Sequence, residues 1–188
     1  MGKFDQYNIP LKGIGTNTHS YEFELDDEFF KKIDSPEVQR GNVMVQLDVT
    51  KESELFDLSF SLEGTVQIPC DRCLDDMDQP VEHDEIIRVR LGEEYGDEED
   101  TVIIPEGEGK INIAWFLYEF IVVSIPIKHY HHTGECNKTM MSKLKKHIIR
   151  HEDDEDDFGF DDDDSEEDIT EETTDPRWDG LKDIIGNN

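Results

Sequence analysis

Apolar and polar side chains alternate from residue 41 to residue 70, and this alternation constrains the fold more than any other feature of the chain. Successive side chains of a strand point to opposite faces of a sheet, so a period of two buries one face and exposes the other. The pattern predicts an antiparallel meander with turns near Lys51-Glu52 and Glu63-Gly64. Its apolar positions are Val43, Val45, Leu47, Val49, Leu58, Phe60, Leu62, Val66 and Ile68.

Shorter runs of the same character predict further strands on both sides of the meander, at residues 7–11, 21–25, 83–91 and 101–104. The acidic stretch 93–100 is expected to be a solvated hairpin tip. Asp26 or Asp27 can cap a brief helix that ends at Ser35-Pro36. The two phenylalanines of this helix, Phe29 and Phe30, should pack on the sheet.

Residues 112–124 have the length of a helix and are apolar on nearly every side, so they are expected to form the buried helix of the domain. Glu119 lies in the middle of this segment. An ionised carboxylate is costly to bury without a partner, so Glu119 needs either a partner or an exposed notch. We hypothesise that Arg72 is that partner.

These elements predict an α+β fold, in which an antiparallel meander sheet of about six strands is packed by the one buried helix of residues 112–124. An acidic disordered insert and a short C-terminal helix are expected to follow. We therefore divide the chain into an α+β domain at 1–137, a basic amphipathic helix at 138–151, an acidic linker at 152–174 and a C-terminal hook at 175–188.

The formal net charge of -30, from 48 acidic and 18 basic residues, excludes a uniformly basic nucleic-acid binder. More than half of the excess negative charge lies in residues 152–175, which hold 16 acidic residues and no basic ones. That stretch is too polar to bury a core, so disorder is expected there. Two roles are open to it: it folds over the basic helix and screens its charges, or it attracts a basic protein.

Residues 138–151 carry five lysine and arginine residues and no acid, interleaved with apolar residues. This composition predicts a basic amphipathic helix, whose charged face is either solvated or in contact with phosphates. Near the end of the chain, Arg177 and Trp178 begin another stretch with an apolar period. Trp178 either anchors the C-terminus in a groove of the sheet or forms an interface beside Arg177.

Two of the three cysteines stand two residues apart at the end of the meander, on a predicted turn between strands. Two thiols with this spacing can converge on one tetrahedral Zn²⁺, at about 2.3 Å per Zn–S bond, and the third thiol and one histidine would complete the four ligands. The pair can instead serve redox chemistry, although no thioredoxin-like βαβ pattern surrounds it, or tighten a buried turn. The candidate ligands are Cys70, Cys73, Cys136 and His131, with His129 or His132 as alternatives to His131.

A zinc ion at these residues would be structural, because no convincing general base, oxyanion donor set or nucleophile lies nearby, and we expect no enzymatic activity. The odd number of cysteines and the lack of an N-terminal apolar run argue against a secreted disulfide scaffold, so we expect a reducing cytoplasm. The longest apolar run, residues 113–127, is shorter than the roughly 20 residues of a membrane helix, so no membrane span is expected.

Three features occur in one order along the chain: a meander that ends in Cys70-Asp71-Arg72-Cys73-Leu74, an apolar helix that contains Glu119 and closes at Pro126, and the terminal motif Asp175-Pro176-Arg177-Trp178. In these features the chain resembles the YceD family, the large-subunit ribosomal RNA accumulation proteins of bacteria and plastids. The resemblance covers residues 7–137 and 175–185. Some relatives carry several cysteines after the matching proline, where this chain has histidines, and imidazole suits Zn²⁺ as well as thiolate does.

The resemblance implies a non-catalytic factor in biogenesis of the large ribosomal subunit, which promotes accumulation of its RNA by binding ribosomal RNA, ribosomal protein or both. One structural zinc is the candidate cofactor, and neither DNA nor a membrane is an expected partner. Two alternatives remain: a zinc-dependent or thiol enzyme acting on RNA, and an acidic binding module for a basic partner. The residues predicted to bind are Arg72, Lys143, Lys145, Lys146, Arg150, Arg177 and Trp178, and Glu119 has a structural role.

Overall fold

The computed structural model describes residues 2–15, 17–98 and 100–147. Within these ranges the chain forms one short 3-10 turn, eight strands and three α-helices. In chain order they are the turn Asp5–Tyr7, β1 (Asn8–Pro10), β2 (His19–Leu25), α1 (Asp27–Ile33), β3 (Arg40–Glu52), β4 (Leu55–Pro69), β5 (Asp76–Gly92), β6 (Gly96–Glu98), β7 (Thr101–Pro105), β8 (Lys110–Asn112), α2 (Ala114–Ser124) and α3 (Lys138–His147). The predicted acidic linker and C-terminal hook, with Arg150, Arg177 and Trp178, lie outside the described residues.

The main sheet has six strands in the order β2-β3-β4-β5-β7-β6. Strands β5 and β7 are parallel, with Arg88 opposite Thr101, and the other neighbours are antiparallel. The chain leaves β5, runs along the edge as β6 and returns as β7 between the two. The α+β class is therefore confirmed, but a wholly antiparallel sheet is wrong. The acidic stretch after β5 is exposed, as expected, but it supplies the edge strand β6 instead of a hairpin tip.

The predicted turn at Glu63-Gly64 is wrong, because strand β4 runs through these residues without a break. Gly64 lies directly opposite Val43 of β3. A Cβ atom at Gly64 would stand 2.3 Å from the backbone oxygen of Asn42, so the glycine permits a close approach of two strands rather than a turn. The other predicted turn is confirmed two residues further on, at Ser53, whose φ is 58°.

The predicted core face of the meander is confirmed. Phe29 and Phe30 of α1 are buried in the same cluster, as expected. Asp26 is the cap of α1, because its carboxylate accepts hydrogen bonds from the backbone N–H groups of Glu28 and Phe29 at 3.0 and 3.1 Å. The inward positions of β3 are buried throughout: Val43, Val45, Leu47 and Val49.

The expected buried helix is α2, but it is buried on one side only, although it is apolar on nearly every side. Phe120 packs edge-on against Phe60 of β4, with ring centroids 5.3 Å apart. On the opposite side Trp115 is 54% exposed and Val123 is 68% exposed. Glu119 lies between them on this exposed side. Glu119 was expected to have either a charged partner or an exposed position, and the structure shows the exposed position. Because its charge is not buried, Glu119 does not require Arg72 as a partner.

A small second sheet fixes the start of α2. Strand β1 pairs with β8, with Ile9 opposite Ile111. The side-chain amide of Asn112 donates to the backbone oxygen of Phe4 at 2.9 Å, and its oxygen accepts from the N–H of Ala114 at 3.1 Å. The start of α2 is therefore fixed by Asn112, which β1 and Phe4 hold in place. In the described part of the chain, no helix has the length and apolar character that crossing a membrane requires.

Candidate metal centre

The turn between β4 and β5 holds the first two cysteines. The N–H of Cys70 donates to the oxygen of Asp75 and the N–H of Leu74 donates to the oxygen of Cys70, both at 2.9 Å. The N–H of Arg72 points at the Cys70 sulfur at 3.4 Å. This tight turn places both thiols inside it, where Cys70 is 0% and Cys73 is 1% exposed.

The segment after α2 is fastened to this turn by Asp71. The N–H of Asp71 donates to the backbone oxygen of His129 at 2.9 Å, and the Asp71 carboxylate accepts from the N–H of His129 at 2.8 Å. The His129 ring lies 3.5 Å from the same carboxylate and 3.1 Å from the oxygen of Pro126. His129 therefore serves as a bracket between the two segments, and its ring faces away from the thiols.

The bracket brings His131 and Cys136 to the cysteine pair. The sulfur atoms of Cys70 and Cys136 lie 3.9 Å apart, and His131 Nδ1 lies 3.4 Å from Cys73 Sγ and 4.0 Å from Cys136 Sγ. All four ligand atoms lie within 4.8 Å of one another. The cysteines are free, so no disulfide accounts for this approach.

These distances fit a tetrahedral zinc site. Bonds of about 2.3 Å to sulfur and about 2.0–2.1 Å to nitrogen, at tetrahedral angles, separate neighbouring ligand atoms by about 3.5–3.8 Å. Three of the six separations lie within a few tenths of an ångström of that range, and all six are at most 4.8 Å. The cluster of Cys70, Cys73, His131 and Cys136 could therefore hold a metal such as zinc, whereas His132 is exposed outside it.

Burial is the largest influence on the pKa of both Cys70 and Cys136, and it disfavours each thiolate. At Cys70, hydrogen bonds from neighbouring backbone N–H groups and from the His131 ring outweigh burial and lower the pKa to about 6. At Cys136, the sulfurs of Cys70 and Cys73 add to the effect of burial and raise the pKa to about 11. Cys70 thus loses its proton readily, whereas Cys136 keeps its proton unless a cation neutralises the thiolate.

Asn137, directly after Cys136, joins the cluster to helix α3. Its side-chain oxygen accepts hydrogen bonds from the N–H groups of Thr139 and Met140 at 3.0 and 3.3 Å, which caps the helix. Its amide group donates to the Asp75 carboxylate at 3.1 Å. Sequence reasoning missed this residue, although an asparagine immediately before a helical repeat is a common start signal.

The predicted binding residues that the structure describes fall into two groups. Arg72 lies beside the cluster, with its guanidinium carbon 3.7 Å from the centre of the Tyr130 ring. The lysines of α3 are exposed: Lys143, Lys145 and Lys146. Arg150, Arg177 and Trp178 lie outside the described residues. Tyr130 was not predicted as a binding residue. The sequence signal that could have identified it is its position next to the candidate ligand His131.

Comparison with known proteins supports one family. The family model described as large ribosomal RNA subunit accumulation protein YceD matches residues 58–185, which include most of β4, the four clustered residues and α3. Searches of curated proteins and of solved structures return no match. The family's description names an accumulation factor and not an enzyme. Since the match spans more than half of the sequence, the chain belongs to the YceD family.

Proposed function

We propose that this protein is a non-catalytic factor in biogenesis of the large ribosomal subunit, which acts by binding ribosomal RNA, a ribosomal protein or both. The match of residues 58–185 to the YceD family carries the proposal, because membership implies a role in accumulation of large-subunit ribosomal RNA. A cytoplasmic location, where thiols stay reduced, is part of the proposal.

We further propose that Cys70, Cys73, His131 and Cys136 hold one structural zinc ion. Three thiols and one imidazole supply the four ligands of a closed site. A closed site leaves no position for water or substrate, which argues against the alternative of a zinc-dependent enzyme acting on RNA. The zinc ion would join the β4–β5 turn to the segment that leads into α3.

The lysines of α3 are the proposed contacts for RNA phosphates. The helix has no buried residue, and Lys143, Lys145 and Lys146 are exposed on it. Its cap Asn137 is tied to Asp75 of the turn, so the cluster fixes where the helix starts. Phosphate contacts at this site would be local, since the chain as a whole is strongly negative.

A specific observation favours ribosomal protein as a second partner. The face of the main sheet that points away from the core carries carboxylates on three of its strands, β2, β4 and β5. Glu22 of β2 and Asp84 of β5 occupy one cross-strand row, and Glu24, Glu63 and Glu82 occupy the next. All five are exposed. Such a surface attracts the basic segments of proteins by Coulomb interaction, as the alternative of an acidic binding module also requires.

The experiment that tests the function is capture of the tagged full-length chain from a native lysate at near-physiological salt. The recovered RNA is sequenced and the recovered proteins are identified. We expect enrichment of large-subunit ribosomal RNA or its precursors, with or without ribosomal proteins. Recovery of no ribosomal component would overturn the proposal.

Charge reversal on α3 should weaken RNA binding. We expect the combined change of Lys143, Lys145 and Lys146 to glutamate to reduce affinity for a large-subunit RNA fragment by an order of magnitude or more. Each lost phosphate contact lowers the slope of log affinity against log salt by about 0.7–0.9, so the slope should fall by about two. Fluorescence anisotropy across a salt series measures both quantities.

The matched control replaces the same three lysines with arginine, which keeps the charge. This variant should bind RNA with nearly the affinity of the unmodified chain. If charge reversal leaves both the affinity and the salt slope unchanged, α3 has no role in RNA binding.

Zinc affinity should rise with pH. The thiolate is the ligand, and the thiol of Cys136, with a pKa of about 11, keeps its proton at neutral pH in the metal-free protein. Zinc must displace that proton, so the apparent affinity should increase by at least about tenfold per pH unit between pH 6 and 8. Competition with a chromophoric chelator measures the affinity at each pH. An affinity independent of pH would show that Cys136 is not a ligand.

A further inference from the structure

Arg72 and Tyr130 form a stacked pair at the surface of the metal centre. The guanidinium carbon of Arg72 lies 3.7 Å from the centre of the Tyr130 ring, which is the distance of direct contact. Tyr130 is 40% exposed. Arg72 stands between two candidate ligands in sequence, and Tyr130 directly precedes a third, His131.

The cluster fixes the backbone of both residues. The N–H of Arg72 points at the Cys70 sulfur at 3.4 Å. Tyr130 stands between His129, which is bracketed to Asp71, and His131 of the cluster. The two side chains therefore meet on a rigid support rather than on a free loop, and a ligand that stacks on them does not have to order the backbone first.

The surroundings of the pair fit a nucleobase better than a phosphate. A cavity of about 550 Å³ opens beside Tyr130, and carboxylates in its lining would repel a phosphate. The same carboxylates can accept hydrogen bonds from the amino groups of adenine, cytosine or guanine. Besides Tyr130, the cavity is lined by Gln67, Met77, Gln79, Pro80, His131, His132 and the acidic residues Asp76, Asp78 and Glu135.

An exposed apolar side chain lies on the same turn. Leu74 is 66% exposed, and its φ of 63° places it in the left-handed region, which a residue with a Cβ atom rarely adopts. The turn therefore holds Leu74 in an unfavourable backbone conformation without burying its side chain. Contact with a ligand would provide that burial.

We propose that this corner of the protein binds an unpaired RNA base, which stacks on the Arg72–Tyr130 pair while its amino group faces the carboxylates of the cavity. The phosphates on either side of that base would contact the lysines of α3, which begins two residues after Cys136. This stacking site presupposes the RNA-binding function proposed above, and it specifies single-stranded RNA as the ligand.

Single-stranded RNA is favoured over duplex RNA for two physical reasons. A base in a duplex is already stacked on both faces and cannot reach a side-chain platform. Stacking also requires no net positive charge, so it can supply affinity in a chain whose net charge is -30.

The test uses the full-length zinc-loaded chain and a short single-stranded RNA that contains the fluorescent base 2-aminopurine. Stacking quenches 2-aminopurine, so binding should quench its emission. Replacing Tyr130 with alanine should remove the quenching and lower the affinity about tenfold, because stacking on one aromatic ring contributes that much or more. Tyr130→Phe should restore both. Adenine-rich RNA should bind more tightly than uracil-rich RNA, since uracil has no amino group.

The controls separate failure of the stacking site from failure of the proposed function. Zinc content and melting temperature show whether Tyr130→Ala keeps the metal centre intact. If the unmodified chain binds RNA without quenching, or if Tyr130→Ala binds as tightly while the α3 charge reversal does not, the stacking site is wrong and RNA binding stands. If the unmodified chain captures ribosomal protein but binds no RNA, both the stacking site and RNA binding fall.

Discussion

Replacing Cys73 with serine should remove zinc from the purified protein. Structural zinc sites with four ligands have apparent binding free energies of about 10–16 kcal/mol, or about 3 kcal/mol per ligand. Loss of one thiolate should therefore lower zinc affinity by about two orders of magnitude. Cys73 Sγ lies 3.4 Å from His131 Nδ1 and is buried, so no water-exposed group substitutes for it easily. Metal analysis after dialysis against a chelator whose zinc affinity lies between those of the two proteins should give about one zinc per unmodified molecule and almost none for the variant.

His132→Ala is the matched control, because His132 is adjacent to His131 but exposed outside the cluster. It should retain zinc at the level of the unmodified chain. If the unmodified chain contains no zinc and does not bind it with high affinity, the cysteines are buried packing residues and the structural zinc proposal fails. Loss of zinc from His132→Ala with retention in Cys73→Ser would assign the site to other ligands.

Zinc removal should also loosen the contact between the β4–β5 turn and residues 131–136. The ligands come from the β4–β5 turn and from residues 131–136, and the ion would hold these segments together. Hydrogen exchange should therefore accelerate after chelation in residues 126–147 and stay slow in β3 and β4, whose side chains form the core. The Arg72–Tyr130 pair and the start of α3 both depend on this junction.

The sequence predicted those parts of the fold in which local pattern determines structure. Alternation identified the inward face of β3, because burial of one face is encoded in every second residue. Asp26 was one of two predicted caps, with Asp27, because a capping side chain acts on N–H groups two and three residues ahead. Pairing of β1 with β8, across about a hundred residues, and the parallel alignment of β5 with β7 depend on long-range contacts that no local pattern contains.

The errors at Gly64 and α2 have a common cause. A glycine permits both a turn and a close approach of strands, and a local pattern does not distinguish the two. An apolar helix surface likewise does not show which side faces the core. Trp115 and Val123 are exposed although they are as apolar as the buried side, and Glu119 marks the solvent side that they share.

The candidate site was predictable as a set of residue types but not as a geometry. The spacing of Cys70 and Cys73 indicated metal or redox chemistry, and Cys136 with a histidine was a conditional addition. Selection of His131 depends on the bracket between Asp71 and His129, which turns one ring away and the next toward the thiols. Such a bracket involves residues almost sixty positions apart, and its effect on ring direction requires coordinates.

Replacing Gly64 with alanine should destabilise the protein by about 3 kcal/mol or more, at the upper end of the cost of overpacking. The added Cβ atom would stand 2.3 Å from the oxygen of Asn42 and 2.6 Å from the Cα atom of Val43. Both are backbone atoms of β3, which is paired on its other side with β2, so relief requires the shift of a central strand. For a chain of this size the melting temperature should fall by about 6–12 °C.

The control for Gly64 is Gly96→Ala in the edge strand β6. A Cβ atom there would lie 3.8 Å from a methyl group of Ile103, an ordinary contact. The stability change should be within about 0.5 kcal/mol, because surface substitutions without a steric conflict have small effects. Denaturant unfolding of both variants measures the difference. Equal stability of the two would mean that β3 and β4 do not approach closely at Gly64 and that the strand is interrupted there, as the sequence pattern alone predicts.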